Sequence, residues 1–143
     1  LLLAGLLAGE LDAAALHKLV EARRGHPVLI ALWATWCGPC VKEFPALVEL
    51  SGRHREVAFL AVSIDDREDR DAVERFLAKE RPPFPVYLKA PGRDEPFING
   101  VDAAWSGVIP ATLVFDRDGK RAALLQGEHT PREIETALEA VEP

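Results

Sequence analysis

The sequence predicts one α/β domain with a central mixed β-sheet, helices on both faces, and a C-terminal β-hairpin followed by a last helix. Three observations carry this reading. The runs Val28–Ala34 and Val57–Ile64 are almost continuously apolar, as in strands buried on both sides. Each is followed by a stretch with helical spacing, so helices and strands alternate along the chain. Near the end, Asp118-Gly119 separates two short runs in the manner of a hairpin.

The elements follow in order. Asp12 is a suitable N-cap, Leu16, Leu19 and Val20 form an apolar stripe, and Gly25 with Pro27 beyond it ends the first helix near residue 24. Strand 28–34 leads into Trp36-Cys37-Gly38-Pro39-Cys40, where the second helix starts. Cys40, Phe44, Leu47 and Val48 share one face of that helix, which points Cys40 toward the core and leaves Cys37 at an exposed first turn. Pro45 removes one backbone bond and predicts a kink. After the second central strand, 57–64, a third helix begins at Asp65 or Asp66, with Glu68 and Asp69 in its first turn and Val73, Phe76 and Leu77 buried. Prolines at 82, 83 and 85 exclude a helix there, Phe84–Leu88 reads as a short edge strand, and Phe97–Trp105 holds one or two helical turns. Strands 111–116 and 121–126 form the hairpin. Thr130, Pro131 and Glu133 make a capping box for a last helix that buries Ile134, Leu138 and Val141.

Composition narrows the chemistry. With 48% hydrophobic and 28% charged residues among 143, the chain has the make-up of an ordinary globular domain, and its net charge of −6 argues against nucleic acid as a partner. No apolar run reaches the roughly 18–20 residues that span a bilayer. Leu1–Gly9 reads either as the remnant of a signal or anchor segment or as an apolar stretch packing on the domain, with the domain itself taken from residue 12 to 143. Cys37 and Cys40 are the only cysteines, too few for a stapled scaffold or a four-ligand zinc site, and Val41 in place of His excludes haem attachment. His17, His26, His54 and His129 lack ligand spacing and read as surface residues, and Glu133, Glu135, Glu139 and Glu142 as a solvated face. No metal and no cofactor beyond the cysteine pair is expected.

A redox dithiol remains. A thiol attacks a disulfide as thiolate, and the free amides and dipole of a helix N-terminus favour negative charge at Cys37, bringing such a thiol to a pKa of roughly 3.5–7.5. Pro39 lies where its missing N–H is not needed. Cys40, one turn on, is placed to attack the mixed disulfide and release the partner. Trp36 either roofs the site or packs as a partly buried aromatic, and Trp33 belongs to the core.

Trp33-Ala34-Thr35-Trp36-Cys37-Gly38-Pro39-Cys40, followed by Lys42-Glu43-Phe44-Pro45, resembles the thioredoxin superfamily, in particular the extracytoplasmic thioredoxins of the TlpA and ResA type. Ala61–Asp65, Gly107–Thr112 and Phe115–Lys120 extend the resemblance, which covers residue 12 to the end, with 81–109 as an insertion. It implies a thioredoxin-like fold and a thiol–disulfide oxidoreductase, with a lean toward reduction of protein disulfides. It also implies that Ile109-Pro110 is a cis-proline loop beside the dithiol, with the Ile109 backbone free to pair with a partner peptide. The implied partners are protein thiols and disulfides and an upstream electron donor such as a membrane thiol reductase. The implied setting is extracytoplasmic, in a bacterium, with a monomeric chain; a cytosolic role is the other option. Relatives of this type serve cytochrome c maturation, copper-centre assembly, sporulation or general thiol reduction, and the sequence selects none of these.

The chain departs from cytosolic thioredoxins where these carry a buried Asp and its paired Lys: here stand Ala31 and Ala61. Asp66 and Glu43 are the candidates to accept the Cys40 proton in their place, with a helix cap as the other role for Asp66 and a solvated helix position as the other for Glu43. Trp105 and Phe97 either line a partner groove near Pro110 or pack in the core. Two rival functions stay open: a peroxiredoxin-like thiol peroxidase, whose Thr three positions before the nucleophile is replaced here by Ala34, and a redox-inactive binding module of the same fold.

Overall fold

The computed structural model describes residues 7–143. In chain order the elements are β1 (Glu10–Leu11), α1 (Ala13–Glu21), β2 (Val28–Trp33), α2 (Gly38–Arg53), β3 (Ala58–Ser63), a 3-10 turn (Arg67–Asp69), α3 (Arg70–Glu80), β4 (Val86–Lys89), α4 (Asp94–Val101), β5 (Ala111–Phe115), β6 (Arg121–Gln126) and α5 (Pro131–Glu139). The sheet runs β1-β4-β3-β2-β5-β6, parallel from β1 to β2 and antiparallel at β5 and β6. It is the mixed sheet that the alternation of apolar runs implies.

β2 is buried at all six positions because it lies at the centre of the sheet with helices above and below. Its residues alternate between two cores. Leu29, Ala31 and Trp33 face α2, α3 and α5, and meet Phe44, Leu47, Val73, Leu77, Ile134 and Leu138. Val28, Ile30 and Leu32 face α1 and α4, and meet Leu16, Val20, Phe97 and Val101. Trp33 lies 5.0 Å from both Phe44 and Phe76, which confirms it as a core residue. Phe97 and Trp105 are buried against each other in a T-shaped pair. Where α4 crosses α1, a Cβ on Gly100 would stand 2.7 Å from the Ala13 Cβ, so only glycine permits that approach.

The structure corrects four expectations. β4 is no edge strand: it pairs with β3 on one side and with β1 on the other. β1 itself falls before residue 12, the domain start expected from the sequence. Leu7 packs on the core, the Ala8 amide donates to the Val86 carbonyl, and the Leu88 amide donates to the Gly9 carbonyl. A two-residue strand carries too little periodicity to be read from sequence. The rest of the N-terminal segment lies outside the described residues. α4 starts at Asp94 rather than Phe97.

The fourth correction concerns His54, which is buried. One ring nitrogen, Nδ1, lies 2.9 Å from Glu142, the other, Nε2, 2.7 Å from Glu135, and Arg53 reaches Glu135 at 3.0 Å. These contacts close the C-terminal end of α2 on α5 and the residues after it, so Glu135 and Glu142 do not belong to a solvated face. Burial alone would lower the His54 pKa, but hydrogen bonds to the Glu142 and Glu135 carboxylates outweigh it and hold the imidazolium above its ordinary range. A raised folded-state pKa contributes stability that is complete below the unfolded value of about 6.5 and fades as pH rises through the folded value. His54→Ala should therefore cost about 1–3 kcal/mol at pH 6, and the gap in urea unfolding free energy between it and the wild type should narrow toward pH 9. A gap that stays constant across that window would show that the ring acts by packing alone.

Candidate active site

The site forms where β2 and β3 end side by side. Trp33 is in register with Ser63, and the Ile64 amide donates to the Trp33 carbonyl at 2.8 Å. Beyond Trp33 the chain turns and enters α2 at Cys37, the N-cap, whose backbone is extended at φ −97° and ψ 103°. Its carbonyl accepts the first helical bond from Val41 at 3.1 Å, and its Sγ accepts the Cys40 amide at 3.3 Å. A sulfur thus fills the capping position usually held by an oxygen, so the open end of the helix addresses it directly. Gly38 and Pro39 occupy the first turn. Cys37 and Cys40 are joined as a disulfide, their Cα atoms 5.3 Å apart.

Cys37 is not exposed as its position in the first turn suggests. It is 7% accessible and Cys40 2%. The exposed group is Trp36, at 64%. Val108, on the loop entering β5, is the other large apolar side chain exposed among the described residues.

That loop is fixed on several sides. The Ile109–Pro110 peptide is cis, and Ile109 packs on the core cluster that contains both cysteines. Ala111 pairs with Leu32, so Pro110 lies beside the end of β2, where the motif begins. The Trp105 indole donates to the Val108 carbonyl at 2.8 Å, the Ser106 amide to the Gln126 side chain at 2.9 Å, and the Gly127 amide to the Pro110 carbonyl at 2.8 Å. Gly107 takes φ +94°, and a Cβ there would meet Ile98 at 2.7 Å, which reserves the position for glycine.

Beneath the dithiol the sheet is uncharged: Ala31 and Ala61 face each other in register, both buried. The two acidic candidates stand on opposite flanks. Asp66 is exposed, caps the 3-10 turn without a side-chain bond, and shares a cavity of about 300 Å³ with Trp36, Lys89, Trp105 and Gly107. Among the described residues no hydrogen bond links it to either cysteine.

Glu43 lies one turn after Cys40, half-buried in a cleft of about 380 Å³ that also includes Pro39 and His129. It is not the solvated helix position that its sequence context suggests. Burial pushes its carboxyl up to about 7, against the opposing pull of the His129 ring and the His129 backbone amide.

The role of one site residue, read in the sequence only as a helix start and part of the resemblance, was missed. Asp65 is 1% accessible, and its carboxylate accepts the Thr35 amide at 2.9 Å, the Thr35 hydroxyl at 2.6 Å and the Ser63 hydroxyl at 2.5 Å. The signal available was Ser63, a polar residue inside a buried strand, two positions before a carboxylate.

The redoxin family model matches residues 11–141. The chain belongs to the redoxin family. This redoxin is 30% identical over 128 residues to the thiol-disulfide oxidoreductase ResA of Bacillus cereus, covering 88% of this chain and 70% of that one. It is 28% identical over 127 residues to ResA of Geobacillus kaustophilus, covering 89% and 69%. Among solved structures it is similar to a putative thiol:disulfide interchange protein DsbE from Chlorobium tepidum, at a TM-score of 0.70 and 26% identity, covering 85% and 84%. It is also similar to a thioredoxin-related protein from Neisseria meningitidis, at 0.68 and 25%, covering 85% and 88%. With its paired cysteines, the redoxin is a ResA-like member of the thioredoxin superfamily and a thiol–disulfide oxidoreductase. The Thr35 hydroxyl, the one next to the motif, is engaged by Asp65, and Ala34 is buried.

Two outcomes are expected here. Asp65→Ala leaves three buried donors without their acceptor and should lower the unfolding free energy by about 2–4 kcal/mol; an unchanged urea midpoint would mean that water replaces the carboxylate. Glu43, with a folded pKa above its unfolded value, penalises folding once it is ionised, the penalty growing from about pH 4.5 to 7. Glu43→Gln should therefore match the wild type in stability at pH 4 and exceed it at pH 8.

Proposed function

We propose that the protein reduces disulfides of partner proteins through a mixed disulfide at Cys37 that Cys40 resolves. The observation that carries this reading is the capping geometry: the sulfur of Cys37 holds the N-cap of α2 and accepts the Cys40 amide at 3.3 Å. With the disulfide opened, the same amides favour the Cys37 thiolate, the form that attacks. It attacks a partner disulfide, one partner thiolate leaves, and the partner stays bonded to Cys37. Cys40 then loses its proton to Glu43 and attacks the Cys37 sulfur. The second partner thiolate leaves and the Cys37–Cys40 disulfide re-forms. The cysteine pair itself carries the electrons, so no other cofactor enters the reading.

An extended partner segment pairs with the backbone of Ile109, whose amide and carbonyl enter no backbone hydrogen bond among the described residues. Trp36 and Val108, exposed on either side, supply apolar contact. A second dithiol protein has to reduce Cys37–Cys40 after each turnover, and a membrane thiol reductase fits that need. The resemblance to extracytoplasmic thioredoxins supports an extracytoplasmic placement in a bacterium, with the chain acting as a monomer. No helix among the described residues is long and apolar enough to cross a membrane.

Insulin reduction with dithiothreitol tests the reading. Cys37→Ser should reduce turnover to the uncatalysed rate, and Cys40→Ser should accumulate a mixed disulfide visible on non-reducing gels. Equal turnover by wild type and Cys37→Ser would leave a binding module rather than an enzyme. A reduction potential near that of strong oxidants, about −120 mV, would reverse the direction of electron flow.

A further inference from the structure

Glu43 solves only half of the proton problem posed by Cys40. A carboxyl that takes a proton in each turnover has to hand it on before the next, and this one is half-buried. Of the titratable groups in the cleft around it, His129 is the one that also binds the Glu43 carboxylate through its own backbone. His129, on the loop between β6 and α5, places its Nδ1 3.0 Å from the Gly127 carbonyl. A carbonyl only accepts, so Nδ1 carries the hydrogen, and Nε2 of the unprotonated ring is left with its lone pair. The same residue presents its backbone amide to the Glu43 carboxylate, and its ring lies close enough to Glu43 for its charge to act on that carboxyl. The charged groups facing the ring across this cleft are Glu43 and Lys42 from α2, Glu128 beside it on the loop, and Glu133 from α5. The Gly127 residue that orients the ring also donates its amide to Pro110, so ring and cis-proline loop share one anchor.

We propose that His129 is the second station of the proton path of the resolving step, receiving at Nε2 the proton that Glu43 takes from Cys40 and passing it to water in the cleft. The inference rests on Glu43 being the proton acceptor, as proposed above. The balance is simple. Cys40 loses one proton and becomes thiolate, Glu43 gains and then loses it, and the imidazole gains and then loses it to solvent. No electrons move in these transfers, and the sulfur chemistry is unchanged. In the opposite direction the same path delivers a proton to Cys40 when the disulfide is opened. His129 touches neither sulfur: it acts through Glu43.

The test follows release of the second thiol from a pre-formed mixed disulfide at Cys37, by stopped flow between pH 5 and 9, in wild type, His129→Ala, His129→Gln and Glu43→Gln. His129→Ala keeps the backbone amide and removes only the ring. Its release rate should fall roughly tenfold at pH 7, within the range that positioned acid–base groups supply. Added imidazole should restore much of that loss, and the pH profile should move upward because the ring no longer favours ionised Glu43. Lys42→Ala, on the same cleft wall, should stay within about twofold of wild type, a difference too small for a lost acid–base group. Combining His129→Ala with Glu43→Gln should slow release no further than Glu43→Gln alone. A rate and pH profile in both His129 variants equal to wild type, with Glu43→Gln slow, would overturn the relay and leave Glu43 as acceptor. A Glu43→Gln rate equal to wild type would overturn both. Loss in His129→Ala that imidazole does not restore, with an unmoved profile, would assign the ring a structural role and sink the relay.

Discussion

The position of the reactive helix depends on one carboxylate. β2 and β3 run parallel and end together, and the chain leaving β2 has to turn into α2 within a few residues. Asp65, just past the end of β3, reaches across and holds Thr35 by both its amide and its hydroxyl, while Ser63 satisfies the remaining demand of the carboxylate. In a buried setting such a network is stable only when every member is paired, and here each member is. Thr35 is thereby fixed two residues before Cys37, and the line along which α2 projects its free amides is set. The capping of Cys37 by position, the inward turn of Cys40 and the exposure of Trp36 all follow from where that turn is held.

With the helix aimed in this way, the chain leaves the sheet beneath the dithiol uncharged. Ala31 and Ala61 are in register and buried, and Thr112 stands opposite Ala31 on the other neighbouring strand. Burying a carboxylate–ammonium pair there would need near-perfect geometry to offset desolvation. A carboxyl on the flank of α2, as Glu43 is, stays partly in water, and partial burial suffices to bring it to about 7. The alanines and the raised carboxyl are two sides of one arrangement: in the proposed reaction the acid–base group stands beside the sulfurs rather than under them.

The parts of this arrangement that repeat along the chain were legible in the sequence. Continuous apolar runs announced β2 and β3, the capping box announced α5, and the cysteine spacing after a strand announced the dithiol. The hairpin strand 121–126 matched to the residue. What escaped has a common physical cause. β1 is two residues long and gains its identity only by pairing with β4. Asp65 reads like any residue at a strand end until Thr35, thirty positions earlier in the chain, is brought against it. His54 carries no local signal of burial, because its partners, Glu135 and Glu142, lie more than eighty residues away. Glu43 owes its raised pKa to a wall contributed by the loop before α5. Each of these is a property of a contact between distant segments, and none leaves a period in the sequence.

The motif has two flanks, and the cis-proline loop joins them. On the Trp36 side, Phe97, Ile98 and Trp105 line a cavity together with Asp66, Lys89 and Asp94. On the Pro39 side lies the cleft of Glu43 and His129. The loop is tied to the first side by the Trp105 indole on Val108, and to the second by Gly127, which binds Pro110 through its amide and His129 through its carbonyl. A partner segment lying along Ile109, as the proposed function has it, would press on a loop whose anchors reach both sides. Partner contact and the proposed proton movement can then lie on separate sides of the motif and still be fixed by the same few hydrogen bonds.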